Sequence, residues 1–178
     1  MLQHVKDVEK PDLLVWTGDN SPHSDWTTTT ESIANSTRVI TDAIKRIFEG
    51  IDMPIYPCPG NHDTWPVDVE DFNKGPDADA DIDAFTHMWQ DWIGEEAAEM
   101  MINYGYFVTD LKLPGGRVAK GGKVISLNTQ PWNTNNWYSL GSKYDPGNEL
   151  TWLEETLYNI EATSGFAIII GHIFPSEF

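Results

Sequence analysis

Leu13-Leu14-Val15-Trp16-Thr17-Gly18-Asp19-Asn20-Ser21-Pro22-His23 decides how the rest of the chain is read. Its first five residues are an apolar run between Pro11 and Gly18, which predicts a short buried strand. Ligands of α/β sheets gather at the carboxyl ends of strands, and a glycine there lets the backbone turn close to a bound ion. The same arrangement recurs twice. Pro54 to Pro57 reads as a second strand and is followed by Gly60-Asn61-His62-Asp63. Ala167-Ile168-Ile169-Ile170 reads as a last buried strand, stopping at Gly171-His172.

Helical spacing fills the intervals. Ile33, Thr37, Ile40, Ile44 and Ile47 mark a helix over Thr30–Phe48, with Thr28 and Glu31 as its expected capping box. Phe85, Met88, Trp89, Trp92 and Ile93 mark a second, and Leu150, Leu153, Leu157 and Ile160 a third. Tyr104–Leu113 and Lys123–Leu127 have strand composition, with turns expected at Gly115-Gly116 and Gly121-Gly122. Strands alternating with helices predict an α/β architecture in a single domain over residues 1–178.

Singly, each polar cluster has a plain alternative: Gly-Asp and Gly-Asn-His are common turns, and Gly-His after a strand is often structural. Three such clusters, each at a strand end, point jointly to one site. Asp, Asn and His supply oxygen and imidazole donors, which suit zinc, manganese or iron.

Composition narrows the partners. Asp and Glu number 28 against 11 Lys and Arg, a net charge of -17. Such a surface repels phosphate backbones, so nucleic acid is not an expected partner. Cys58 is the only cysteine, which excludes an internal disulfide. No run reaches the length of a membrane span, and Met1–Lys10 alternates charged and apolar residues unlike a signal peptide. Asn35-Ser36-Thr37 fits the N-glycosylation acceptor pattern.

The order GD…GNHD…GH resembles the signature of calcineurin-like metallophosphoesterases. VWTGDNSPHSDW (15–26), CPGNHDTWP (58–66) and IIGHIFPSE (169–177) resemble the acid sphingomyelinase and sphingomyelinase-like phosphodiesterase branch. The resemblance implies two mixed β-sheets packed face to face and flanked by helices. It also implies two divalent metal ions, zinc foremost with manganese or iron as alternatives. Asp19 would bridge the two ions, and Asn61 and His172 would be ligands of the second. His62 and His23 would be the catalytic pair near the leaving group. The implied reaction is hydrolysis of a phosphodiester lipid headgroup, sphingomyelin to ceramide and phosphocholine, by a hydroxide shared between the ions. Secretion or a lysosomal location, and contact with a membrane surface, follow from the same resemblance. Polyphosphate or nucleotide phosphodiesters are the alternative substrates, and a non-catalytic fragment is the alternative from another class. Asp63 is expected to orient its loop or His62, with a helix N-cap as the alternative.

The family pattern also places an Asp-x-His before the first cluster and a His-x-His after the last, and neither occurs here. The chain is therefore expected to be a domain truncated at both ends, weak in metal binding and inactive by itself. Asp77, Asp79, Asp81 and Asp83 alternate like the start of a calcium loop. Ile82 stands at its required glycine and Met88 at its glutamate, so a solvated acidic lead-in to the helix is expected instead. His87, beside an apolar stripe, is expected to be structural, and His4 to be exposed. Trp16, Trp89, Trp92 and Trp152 read as core, and Trp26, Trp65, Trp132 and Trp137 as loop residues.

Overall fold

The structure, a computed structural model, describes residues 1–70, 80–141 and 144–174. A short helix α1 (Leu2–His4) and the π-helical turn Val5–Glu9 precede strand β1 (Leu14–Trp16). β1 pairs in parallel with β2 (Ile55–Pro57), setting Leu14 opposite Ile55 and Trp16 opposite Pro57. Parallel neighbours need a long crossover, and helix α2 (Thr30–Ile47) supplies it. Its capping box is Thr29 with Ser32, one residue beyond the expected Thr28 and Glu31. The Thr28 hydroxyl is already committed, donating to the Ser24 carbonyl in the preceding turn. α2 buries Ile33, Thr37 and Ile44, and Ile44 packs with Phe48, Met53 and Ile55 beneath the small sheet.

The second sheet has the order β3-β4-β5, from β3 (Phe107–Leu113), β4 (Arg117–Ser126) and β5 (Phe166–Ile170). β3 and β4 are antiparallel around the expected turn at Gly115-Gly116, and β4 and β5 are parallel, so this sheet is mixed. Helix α5 (Glu149–Ala162) lies in the connection between β4 and β5. Gly121-Gly122 is not a turn but lies inside β4, where a register shift opposite Asp110–Lys112 disturbs the ladder. A Cβ on Gly122 would stand 2.9 Å from both Ala119 Cβ and the Phe166 ring, so close approach accounts for that glycine.

Two helices pack ahead of the second sheet, α3 (Ala80–Ile93) and α4 (Glu95–Tyr104). α4 was not foreseen, and it carries Tyr104, which composition had placed on a strand. Gly94 and Gly105 bound it, Gly105 in the left-handed conformation that ends helices. Ile82, Phe85, Trp89, Ile93, Met101 and Phe107 form the largest apolar cluster.

The two sheets face each other through Tyr56 and Cys58 on one side and Leu111, Val124 and Ile170 on the other. The Tyr56 hydroxyl accepts the Lys112 N–H at 2.7 Å, and the Ser126 hydroxyl donates to the Pro57 carbonyl at 3.0 Å. The α/β layering with two sheets is thus as read, except that only the three-stranded sheet is mixed: among the described residues β1 and β2 form a purely parallel pair.

Two strands are less buried than their apolar runs predicted. Val15 is exposed because β1 has only β2 beside it among the described residues. On β5, Phe166, Ile168 and Ile169 are exposed, and the α5 stripe leaves Leu150 and Leu157 in solvent with only Ile160 buried. The acidic lead-in also differs. Asp77 and Asp79 lie outside the described residues, whereas Asp81 is buried and accepts the Trp65 N–H at 2.7 Å.

Candidate metal centre

Parallel pairing delivers the loops after β1, β2 and β5 to one end of the two sheets, and Asp63 ties the first two together. Its carboxylate is fully buried and accepts the N–H groups of Asp19, Asn20 and Gly60, each at 2.8 Å. Burial pushes the Asp63 carboxyl above its ordinary range, and the three N–H donors oppose that shift. The loop-orienting role expected for Asp63 is what the hydrogen bonds describe, and the N-cap alternative falls because residues 61–68 are not helical. The loops approach closely enough that a Cβ on Gly18 would collide with the Gly60 nitrogen, and one on Gly60 with the Asp19 carboxylate. Gly18 and Asp19 both have left-handed φ, at 77° and 60°, which turns the Asp19 side chain back across the strand ends.

Asp19, Asn61 and His172 meet there. His172 Nε2 stands 3.0 Å from Asn61 Oδ1 and 3.4 Å from Asp19 Oδ1. The other ring nitrogen, Nδ1, is 2.6 Å from the Thr17 carbonyl, which can only accept, so Nδ1 carries the proton. In the neutral ring, Nε2 then presents a lone pair to two oxygens that also have only lone pairs to offer. Such a convergence is satisfied by a cation or by a second proton on the ring. In the absence of a cation, the hydrogen bond to Asp19 raises the His172 pKa, ahead of burial, which lowers it. Burial raises the Asp19 carboxyl, but His172 and the His62 N–H outweigh it and hold Asp19 below its ordinary value. Beside Asp19, the Asn20 amide and the Ser21 hydroxyl are buried without a hydrogen-bond partner.

The second Asp19 oxygen faces the other pair. Oδ2 is 3.6 Å from His23 Nε2, and the rings of His23 and His62 stack with centroids 3.7 Å apart. The two carboxylate oxygens of Asp19 thus address different imidazoles. One donor atom each from Asp19, His23 and His62 falls within a 4.8 Å cluster, so these three also satisfy the spacing of a metal site. The two imidazole rings of this cluster lie 12° from parallel.

All five residues singled out in the sequence are therefore in one place. His4 and His87 are exposed and lie elsewhere, beside Glu9 and Asp83 respectively. Three participants were missed. Asp25 Oδ1 stands 3.3 Å from His62 Nδ1, Asp68 holds the Asn61 amide, and the Thr17 carbonyl fixes the His172 tautomer. Asp25, two residues after His23, was open to suspicion as a carboxylate beside an imidazole. The other two depend on loop geometry that leaves no local pattern.

Comparison with known proteins bears on this geometry. The family described as calcineurin-like phosphoesterase matches residues 1–177. The chain belongs to that family. Within this phosphoesterase family it is 34% identical over 167 residues to sphingomyelin phosphodiesterase B of Dictyostelium discoideum, covering 94% of this chain and 25% of that protein. Acid sphingomyelinase-like phosphodiesterase 3b of Mus musculus is 31% identical over 184 residues, covering 99% of this chain and 37% of that protein. Cyclic GMP-AMP phosphodiesterase SMPDL3A of Bos taurus is 30% identical over 169 residues, covering 93% and 34%. This phosphoesterase chain thus spans about a quarter to a third of the length of the relatives it matches.

Proposed function

We propose that the chain forms the metal-holding end of a phosphodiester hydrolase acting on sphingomyelin-like lipids. The reading rests on one observation: Asp19, Asn61 and His172 aim lone pairs at a common point while the His23–His62 stack lies against the other Asp19 oxygen. Asp19 would bridge two divalent cations, zinc foremost for a set rich in imidazole and carboxylate, and Asn61 and His172 would complete one of them. When bound, such a pair of cations lowers the pKa of water and neutralises charge on a phosphoryl group.

The chain's own residues supply the rest. Asp63 holds Asp19 and Gly60 in register, so the donors are fixed before any ligand arrives. His62, adjacent in sequence to Asn61, has its Nδ1 3.3 Å from Asp25 Oδ1. His62 or His23 would donate a proton to the departing alkoxide as water's oxygen replaces it on phosphorus, giving a phosphomonoester and an alcohol. For sphingomyelin the products are phosphocholine and ceramide. The exposed Trp26 and Trp65, which flank the histidine loops in sequence, offer aromatic faces to a quaternary ammonium headgroup or a lipid surface. Secretion or lysosomal residence with glycosylation at Asn35, an exposed position on α2, accompanies this reading.

A cyclic dinucleotide substrate is the second reading, favoured by the phosphodiesterase name of the Bos taurus relative and opposed by the charge of -17. A panel of sphingomyelin, a cyclic dinucleotide and a chromogenic phosphodiester, run with the whole protein that carries this chain, tests the assignment. Sphingomyelin turnover that chelation abolishes and zinc restores is expected. Cleavage of the dinucleotide alone would replace the lipid reading, and cleavage of none would remove the enzyme reading.

A further inference from the structure

We propose that Asp68 is a positioning residue that sets which atom of the Asn61 amide faces the metal centre, an inference that rests on Asn61 being a ligand. An asparagine side chain has a donor end and an acceptor end of nearly the same shape, and a 180° turn about its last torsion exchanges them. Only the oxygen can ligate a cation. Something outside the centre must therefore break the symmetry, and the described contacts identify it.

Asp68 Oδ1 accepts from Asn61 Nδ2 at 3.1 Å. The Asp68 backbone N–H donates to the Asn61 carbonyl at 3.2 Å, so one residue grips both the main chain and the side chain of Asn61. Asp68 has φ of 62°, a left-handed conformation that folds its side chain back toward the start of the loop. Asn133 supplies the second anchor, donating from Nδ2 to the same Asp68 oxygen at 2.8 Å. Asn133 is itself oriented, because its Oδ1 accepts the Asn135 N–H at 3.0 Å. Both amides turn their NH₂ groups to a carboxylate that can only accept. The Asn61 NH₂ is thereby consumed behind the centre, and its oxygen is the end left for His172 Nε2 at 3.0 Å.

Behind Asn133 the arrangement continues into buried structure. Asn136 Nδ2 donates to the carbonyls of Glu70 and Gln130, and Gln130 N–H donates to Asn128 Oδ1. The orientation of Asn61 is thus referred to the segment after β4 as well as to its own loop. Partners that orient metal ligands in this way contribute on the order of 10–100-fold to metal affinity or activity.

The test uses the whole chain and three substitutions. Asp68→Gly deletes the carboxylate while tolerating the left-handed φ that alanine would strain. Asp68→Asn keeps an acceptor oxygen at the same place and also tolerates that φ. Asn61→Ala removes the ligand itself. Mn²⁺ affinity is measured by loss of the free-ion electron paramagnetic resonance signal. The Asn61 side-chain NH₂ is followed by ¹⁵N-edited NMR without metal. In the wild type, one Asn61 NH₂ proton is expected downfield and slow to exchange. Asp68→Gly should lose that signature and weaken Mn²⁺ binding roughly 10–100-fold, and Asp68→Asn should restore both to near wild type. A wild-type Asn61 amide that exchanges freely overturns the proposal even if Asp68→Gly does not fold. So does unchanged Mn²⁺ affinity in a folded Asp68→Gly chain. Asn61→Ala separates the two levels: if it leaves Mn²⁺ affinity unchanged, the ligand assignment has failed; if it weakens binding and Asp68→Gly does not, only the positioning role has.

Discussion

The two sides of Asp19 are built on opposite plans. Toward Asn61 and His172, side chains are held by hydrogen bonds from behind: Asp68 on Asn61, Thr17 on His172, and Asp63 beneath the loop itself. Toward His23, support thins out. The His23 side chain is 67% exposed, Asp25 is half exposed, and Trp26 stands wholly in solvent. Under the proposed reading the contrast has a purpose: donors held at fixed places suit a cation, and an open face suits a substrate that must enter and leave. His62 stands at the boundary, nearly buried yet stacked on the exposed His23 ring.

Removing Asp63 should break the contrast most completely. Asp63→Ala leaves three backbone N–H groups buried without acceptors and should cost about 3–5 kcal/mol of stability. The urea midpoint of the whole chain measures this, and a cost under about 1 kcal/mol would mean that the loops are held by something else. His62→Ala probes the boundary. In the whole protein it should lower turnover roughly 10²–10⁴-fold while metal content stays near wild type. Parallel loss of metal and turnover would instead make His62 a ligand, as its place in the Asp19–His23–His62 cluster allows.

How much of this could be read beforehand follows from what each feature depends on. Apolar runs and the glycine after each are local, so β1, β2, β5 and the residues Asp19, Asn61 and His172 were legible. The α2 cap moved by one residue because Thr28 bonds Ser24, a competition between neighbours that composition cannot rank. α4 was hidden because Glu95–Tyr104 mixes alanine, methionine and acid without a clear stripe, and only packing on Phe107 and Trp89 selects its buried face. Asp68 and Thr17 were invisible because their roles lie in loop conformation, and the main-chain carbonyl of Thr17 carries no residue-specific sign.

A pH dependence separates the buried support from the open face. Glu149 is buried at the start of α5, accepting from the Asn128 N–H and the Trp132 indole, and burial pushes its pKa from 4.5 to about 7. A carboxyl raised on folding favours the protonated native state. Its contribution is therefore full below about pH 4.5 and is lost as pH rises through about 7. Stability should fall by on the order of 3 kcal/mol across that window. The Glu149→Gln chain, compared by denaturant titration at pH 4.5 and 7.5, should lose most of that difference. An unchanged pH slope in the variant would place the titrating group elsewhere.

The smallest effect is expected where the apolar pattern and the packing disagree. Leu150, Leu153, Leu157 and Ile160 share one helical stripe, yet Leu157 is 37% exposed and only Ile160 reaches the cleft beside Gly165. Hydrophobic stabilisation follows area removed from water, so Leu157, which keeps more than a third of its surface in water, should contribute less than Ile160. Leu157→Gln should cost about 1 kcal/mol. Ile160→Ala is the internal reference, at about 2–4 kcal/mol for a buried aliphatic truncation. Chemical denaturation of both variants at two protein concentrations decides the matter. A Leu157→Gln cost approaching that of Ile160→Ala, and growing with concentration, would show that the α5 face is covered by a second copy of the chain in solution. The same cost without concentration dependence would mean that the stripe packs within the chain more tightly than its exposed Leu150 and Leu157 indicate.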